Sequence, residues 1–215
     1  MGEQKEQLRK LLEAVGRKLI AAENILADLD AAIGDGDCGA SLKKGWQLIL
    51  DRLPSLHHQT LGGILTETAM LIMSSVGGVS GAIYATAFMR AGKKIGNKES
   101  LSLGEIHEAL NAALEGIKER GEGTKIGDKT LVDALEPALQ ALGQAFSDGD
   151  RIESAIEKAL AAAKRGSDNT IPLVARKGRA SYLGERSAGH RDPGSFVICL
   201  IFEAARDLYR PSLPI

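Results

Sequence analysis

Three aspartates, Asp30, Asp35 and Asp37, fall within the segment DAAIGDGDCGAS (30–41), interleaved with Gly34, Gly36 and Gly39. Carboxylates this close repel one another, and glycine-rich backbone is costly to order. A hard cation among them relieves both problems. Mg2+ takes carboxylate oxygens and fills its open positions with water or substrate phosphate, so the segment reads as a metal–phosphate site. Three carboxylates suffice for a pair of such ions when phosphates supply the remaining oxygens. The plainer alternative is a solvated loop in which Asp37 or Ser41 caps the next helix. An EF-hand fails on spacing, because the twelfth position counted from Asp30, Asp35 or Asp37 is Ser41, Trp46 or Leu48 rather than glutamate.

Three further polar segments carry residues that suit phosphate. Gly77-Gly78-Val79-Ser80-Gly81 opens a helix, where backbone N–H groups and the helix dipole favour an anion. A turn that merely caps the helix explains it equally well. It is neither a Walker A loop nor a G-x-S-x-G elbow. In Gly127-Asp128-Lys129-Thr130, following Gly121, Lys129 is placed to meet a phosphate. Asp128 reads as the cap of the following helix, and Asp133 as a first-turn acid favoured by the dipole. The segment 178–194 holds Arg179, Arg186 and Arg191 with Ser181 and Ser187 between glycines, and ends in Asp192-Pro193-Gly194. Singly, each arginine reads as surface charge; together in one long loop they suit phosphate recognition. His190 stands alone, and His57 and His58 lie on a surface turn, so no histidine is assigned catalysis. With no histidine–nucleophile pair, covalent hydrolysis is not expected.

The elements that position these residues are helical nearly everywhere. Leu8, Leu11, Leu12, Val15 and Leu19 form one stripe, predicting a first helix that runs to about Leu29. Seven more follow: around Trp46, Ile64, Ser80–Arg90, Ile106, Leu139 and Ile156, and from Asp192-Pro193 to about Tyr209. Ser102 with Glu105 is a capping box, and Asp150 with Glu153 opens the seventh helix. The fourth helix is small and apolar, and so is expected at the centre. The piece containing Ile171 and Val174 has no strand partner. The segment 92–101 reads as a solvated connection. The fold expected is all-α, an eight-helix antiparallel up-and-down bundle or closed barrel, as one domain over 1–215. Alternate loops then share one end, so all four polar segments should meet at a single rim.

Composition narrows the classes. A net charge of -1 gives no basis for polyanion binding by bulk electrostatics. No apolar run is long enough to span a bilayer, and MGEQKEQLRK lacks a signal-peptide core. Cys38 and Cys199 lie far apart, which predicts free thiols in a reducing, cytoplasmic compartment.

Taken together, LDAAIGDGDCG, SSVGGVSGA, GDKTLVDALEPA and GRASYLGERSAGHRDPGS resemble the ADP-binding L subunits of dihydroxyacetone kinases, in family order along essentially the whole chain. The resemblance implies an eight-helix antiparallel barrel. It implies two Mg2+ ions on Asp30, Asp35 and Asp37 that hold the phosphates of ADP or ATP. These aspartates, with Arg179, would serve phosphoryl transfer. The nucleotide pocket would be completed by Cys38, Gly39, Ala40, Ser41, Gly78, Val79, Ser80, Gly121, Thr130, Leu131, Arg179, Asp192, Pro193 and Gly194. Implied partners are a separate sugar-binding K subunit and a phosphoenolpyruvate-fed phosphotransferase subunit, with direct use of ATP as the alternative. The sequence departs from the family pattern at Cys38, where histidine is usual, at Ser41 (asparagine) and at Leu131 (methionine). Three other readings stay open: a kinase subunit for another ketose such as a tetrulose, an ADP-binding regulatory module that contacts a transcription regulator, and the nucleotide domain of a fatty-acid kinase.

Overall fold

The computed structural model describes residues 2–56 and 59–210, so His57 and His58 lie outside the described residues. Within that range the chain forms nine α-helices: α1 (Glu3–Ala21), α2 (Glu23–Ile33), α3 (Cys38–Arg52), α4 (Leu61–Ser75), α5 (Gly78–Ile95), α6 (Leu103–Arg120), α7 (Val132–Ser147), α8 (Ile152–Asn169) and α9 (Pro193–Tyr209). Leu53–Leu56 and Arg179–Ser187 form 3-10 helices, and no strand occurs among the described residues. The predicted first helix is thus two. It breaks at Ala22, whose N–H is shared between the carbonyls of Lys18 and Leu19. No glycine or proline marks the break. Leu19 and Leu26 are both fully buried on either side of it, so packing rather than local propensity sets the bend.

Local capping signals account for three of the helix starts. Ser102 accepts from the Glu105 N–H while the Glu105 carboxylate reaches back, completing the capping box of α6. Thr60 caps α4, and Asp192 caps α9 ahead of Pro193. Asp150 does not cap α8. Arg151 takes the N-cap position, and the Asp150 carboxylate pairs with Lys158. Pro137 in α7 leaves the Asp133 carbonyl without its helical donor. Gly166 of α8 packs against that same carbonyl, and a Cβ there would stand 2.1 Å from it. Gly92, expected in a solvated connection, instead lies inside α5 against the Gly62 carbonyl, because only two glycines allow α4 and α5 this close.

From α2 onward each helix packs on the next, while α1, continued by α2 across the bend, packs mainly on α3. Gly16 faces Trp46 and Leu50 while Gly39 faces Glu23; Gly45 faces Val76; Gly116 faces Thr86 and Arg90; Gly166 faces Ala134. Lys18 pairs with Glu203 and Asp207, so α9 returns to α1 and the contacts close on themselves. One apolar cluster joins Leu19, Leu26, Trp46, Ile49, Ile72 and Val197. A second joins Val132, Leu139, Leu142, Leu160, Ile198 and Phe202. Two helices serve both: α9 turns Val197 to one cluster and Ile198 to the other, and the small apolar α5 turns Ala85 to the first and packs Ile83 and Ala87 against the second. The far end of α5 adds Ala91 and Ile95 to a third, smaller cluster.

Candidate metal and nucleotide site

Asp30 lies on the last turn of α2, and Asp35 and Asp37 follow on the connection to α3. The three carboxylates can offer one oxygen each with all three oxygens within 4.8 Å of one another. Two features bring them together. Gly36 turns the chain at φ +77, and Gly34 passes so close to Asp30 that a Cβ would stand 2.4 Å from its carboxylate. Neither Asp37 nor Ser41 caps α3. The Cys38 N–H is instead accepted by Asp30 across the loop, at 3.1 Å. Asp35 and Asp37 are exposed, so their oxygens remain open to a ligand. The donor set is hard oxygen with room for water or phosphate, which fits Mg2+.

Arg179, at the start of the 3-10 helix, points its guanidinium at this cluster. It is ion-paired with Asp35 and lies 4.0 Å from Asp37. The other two arginines of the segment do not join it. Arg191 pairs with Asp168 and stacks over Phe196 at 5.7 Å, and Arg186 is exposed.

The first turn of α9 forms another wall. Asp192 accepts from the Ser195 N–H at 2.5 Å. Burial pushes its carboxyl up to about 7 against that N–H; Asp133 and Asp30 add to the rise and Lys129 opposes it. Gly194 packs against Leu131, with room for a Cβ only 3.3 Å from the leucine's. Thr130 and Leu131 are set by Asp133, which accepts from Gly127 N–H at 2.7 Å and Thr130 N–H at 2.7 Å. Asp128 does not cap α7. It accepts from the Lys125 N–H within its own turn, and its carbonyl accepts from Arg176. Gly121 ends α6 beneath this turn, against Thr124. Lys129 is not available to a phosphate: it is 1% exposed and donates to backbone carbonyls.

Cys38, Gly39, Ala40 and Ser41 make up the first turn of α3, and Gly39 packs on the Glu23 carbonyl. The Cys38 thiol is half-buried and pushed up to about 12, by burial first and then by Asp30, Asp192 and Asp37. Gly78, Val79 and Ser80 are exposed at the start of α5, and among the described residues no hydrogen bond joins them to the other three segments. Their helix reaches the site through Tyr84, whose hydroxyl is pushed up by burial and then by Cys38 and Asp192. So three of the four segments meet directly, and the fourth approaches through a side chain one turn further on. Tyr84 and the buried role of Lys129 escaped the sequence reading, since nothing local distinguishes a tyrosine or lysine whose partners lie tens of residues away.

These elements, all-helical with a carboxylate cluster at one end, match a known domain. Residues 32–207 match the DAK2 domain, and the chain belongs to that family. It is 37% identical over 178 residues to the ADP-binding subunit DhaL of the PEP-dependent dihydroxyacetone kinase of Escherichia coli K12, covering 83% of this chain and 84% of that one. It is 31% identical over 195 residues to an L-erythrulose kinase of Pectobacterium atrosepticum, covering 90% of this chain but 33% of that one. Among solved structures, the dihydroxyacetone kinase of C. freundii in complex with AMP-PNP and Mg2+ superposes with a TM-score of 0.74 at 26% identity. That match covers 94% of this chain and 34% of the other.

Proposed function

We propose that the chain is the nucleotide-binding subunit of a dihydroxyacetone-type ketose kinase. It holds ADP or ATP through two Mg2+ ions on Asp30, Asp35 and Asp37 and passes the terminal phosphoryl group to a sugar on a separate K-type subunit. The observation that carries this reading is the meeting of three carboxylates beneath Arg179, in a chain similar along most of its length to an ADP-binding kinase subunit. Bound Mg2+ supplies charge neutralisation and alignment of the phosphate oxygens.

The chain's own groups do the rest. Asp30, fixed by the Cys38 N–H, presents its second oxygen to the cluster. Arg179 exchanges its aspartate partner for phosphate oxygens, which its planar fork suits. At the N-terminal turns of α3, α5 and α9, the N–H groups of Gly39, Ala40, Gly78, Val79, Ser80 and Gly194 are offered to anions, while those of Cys38 and Asp192 hold the turns in place through Asp30 and Thr170. Leu131 and Gly121 shape the wall beside them. None of these residues reads the sugar, so the ketose is chosen on the partner. A phosphoenolpyruvate-fed phosphotransferase subunit restores the phosphate on bound ADP, and the assembly works in the cytoplasm.

Calorimetric titration with ADP tests the reading. Binding should require Mg2+ and disappear with chelator. Phosphoryl transfer to dihydroxyacetone should then appear on adding a K-type subunit and a phosphate donor. No ADP binding at saturating Mg2+ would sink the proposal. Binding without transfer from either donor would favour the regulatory module.

A further inference from the structure

Lys129 is the largest of the fully buried side chains, at 1% exposure. Among the described residues it forms no ion pair. Its ammonium donates to the carbonyls of Thr170 at 2.6 Å, Ile171 at 3.5 Å and, in a short contact, His190. An ammonium has three donors and no acceptor, and here three carbonyl oxygens stand around it. Such a set of carbonyl oxygens is part of the shell a monovalent cation would take.

Thr170 and Ile171 follow the last turn of α8, where the helix dipole is negative; their carbonyls also accept the Leu173 N–H at 3.2 Å and the Gly189 N–H at 2.8 Å, so the ammonium adds to a backbone network already drawn together there. His190 lies two residues before Asp192, and the Asp192 N–H is in turn accepted by Thr170 Oγ1 at 3.0 Å. Leu131, two residues past the lysine, packs on Gly194. One buried charge therefore gathers the α6–α7 turn, the end of α8 and the entry to α9.

The backbone shows that the side chain is kept for its head group. Lys129 sits at φ +62, a conformation that favours glycine. A buried, strongly hydrated ammonium is also an expensive way to fill space.

We propose that Lys129 is a positioning residue whose ammonium serves as a built-in monovalent cation, fixing Asp192–Gly194 for the nucleotide. This rests on the nucleotide reading above. Burial holds the lysine below its ordinary range, with Asp192 and Asp133 pulling it back up, as expected of a solvent-poor cage between acids.

The test uses Lys129→Gly, which suits the backbone and leaves the cage open, and Lys129→Met, which fills it without charge. ADP affinity with Mg2+ and the melting temperature without nucleotide are measured in tetramethylammonium buffer, then with K+ or NH4+ at roughly 0.1 M. Lys129→Gly should bind ADP at least about tenfold more weakly, the scale of one lost charge-assisted contact. K+ or NH4+ should recover most of that affinity and raise the melting temperature, whereas Lys129→Met should stay weak in every salt. Unchanged affinity in Lys129→Gly overturns the proposal, as does a loss that neither cation restores. Wild-type affinity in Lys129→Met overturns it too, and decides the matter should the glycine variant not fold. If the wild type itself binds no ADP, the nucleotide reading falls, while the cation-specific melting shift of Lys129→Gly still decides the cage.

Discussion

Asp30 and Asp35 belong to one cluster but hold different jobs. Asp35 is exposed, with Arg179 as its ion-pair partner, so Asp35→Asn should weaken ADP binding at least about tenfold, the least expected for a metal ligand. Its melting temperature should match the wild type to within about 0.5 kcal/mol of stability. Asp30 also accepts the first N–H of α3, so Asp30→Ala should lose binding and a further ~1 kcal/mol of stability, whereas Asp30→Asn keeps the acceptor and loses binding alone. Calorimetry and thermal melts on the three variants separate these roles. The aspartates were legible in the sequence because their crowding is local. By residue type and spacing alone Arg179 and Arg191 looked alike, and only the family resemblance favoured Arg179. Only the fold turns one toward Asp35 and ties the other to Asp168.

Helix periodicity carried the elements, since an apolar stripe is visible within a single segment. What it missed was set by distant packing. The bend at Ala22 follows no breaker residue, and Gly92 joined a helix because Gly62 faces it. Gly39→Ala tests such a close approach. Its Cβ would meet the Glu23 carbonyl at 2.1 Å, so α3 must retreat from α2 at a cost of about 1–3 kcal/mol, read as a lower melting temperature. The α6 cap makes a pH prediction. Lys98 first, then the Ser102 N–H and hydroxyl, hold the Glu105 carboxyl from its ordinary 4.5 down to about 2. The folded value is the lower one, so the pair's contribution is complete above pH 4.5 and is lost as pH falls toward 2. The melting temperature of Glu105→Gln should therefore lie below wild type near neutrality, with the gap closing across that acid range. A gap independent of pH would contradict the ionic cap.

At the scale of the whole molecule, alternation of loops put the aspartate loop, the 121–130 turn and the 178–194 segment at one end, where the structure then pairs Arg179 with Asp35 and packs Gly194 on Leu131. It could not foresee that Gly78–Ser80 would stay apart from the others. The same end should govern global stability. ADP with Mg2+ at a hundred times its dissociation constant should add about 2.7 kcal/mol, a rise of roughly 5–10 °C in melting temperature for a chain of this size. Chelator should abolish the rise, and a shift that survives chelation would place the nucleotide elsewhere. The closed antiparallel order has one more consequence. Gln4 bonds to Leu101 beyond the end of α5, and Asp207 pairs with Lys18, so Glu3 and Tyr209 both lie away from the aspartates. The molecule can therefore be tethered from behind. An affinity handle, a surface anchor or a fused protein attached at either terminus should leave the carboxylate mouth open to nucleotide and to whatever docks over it.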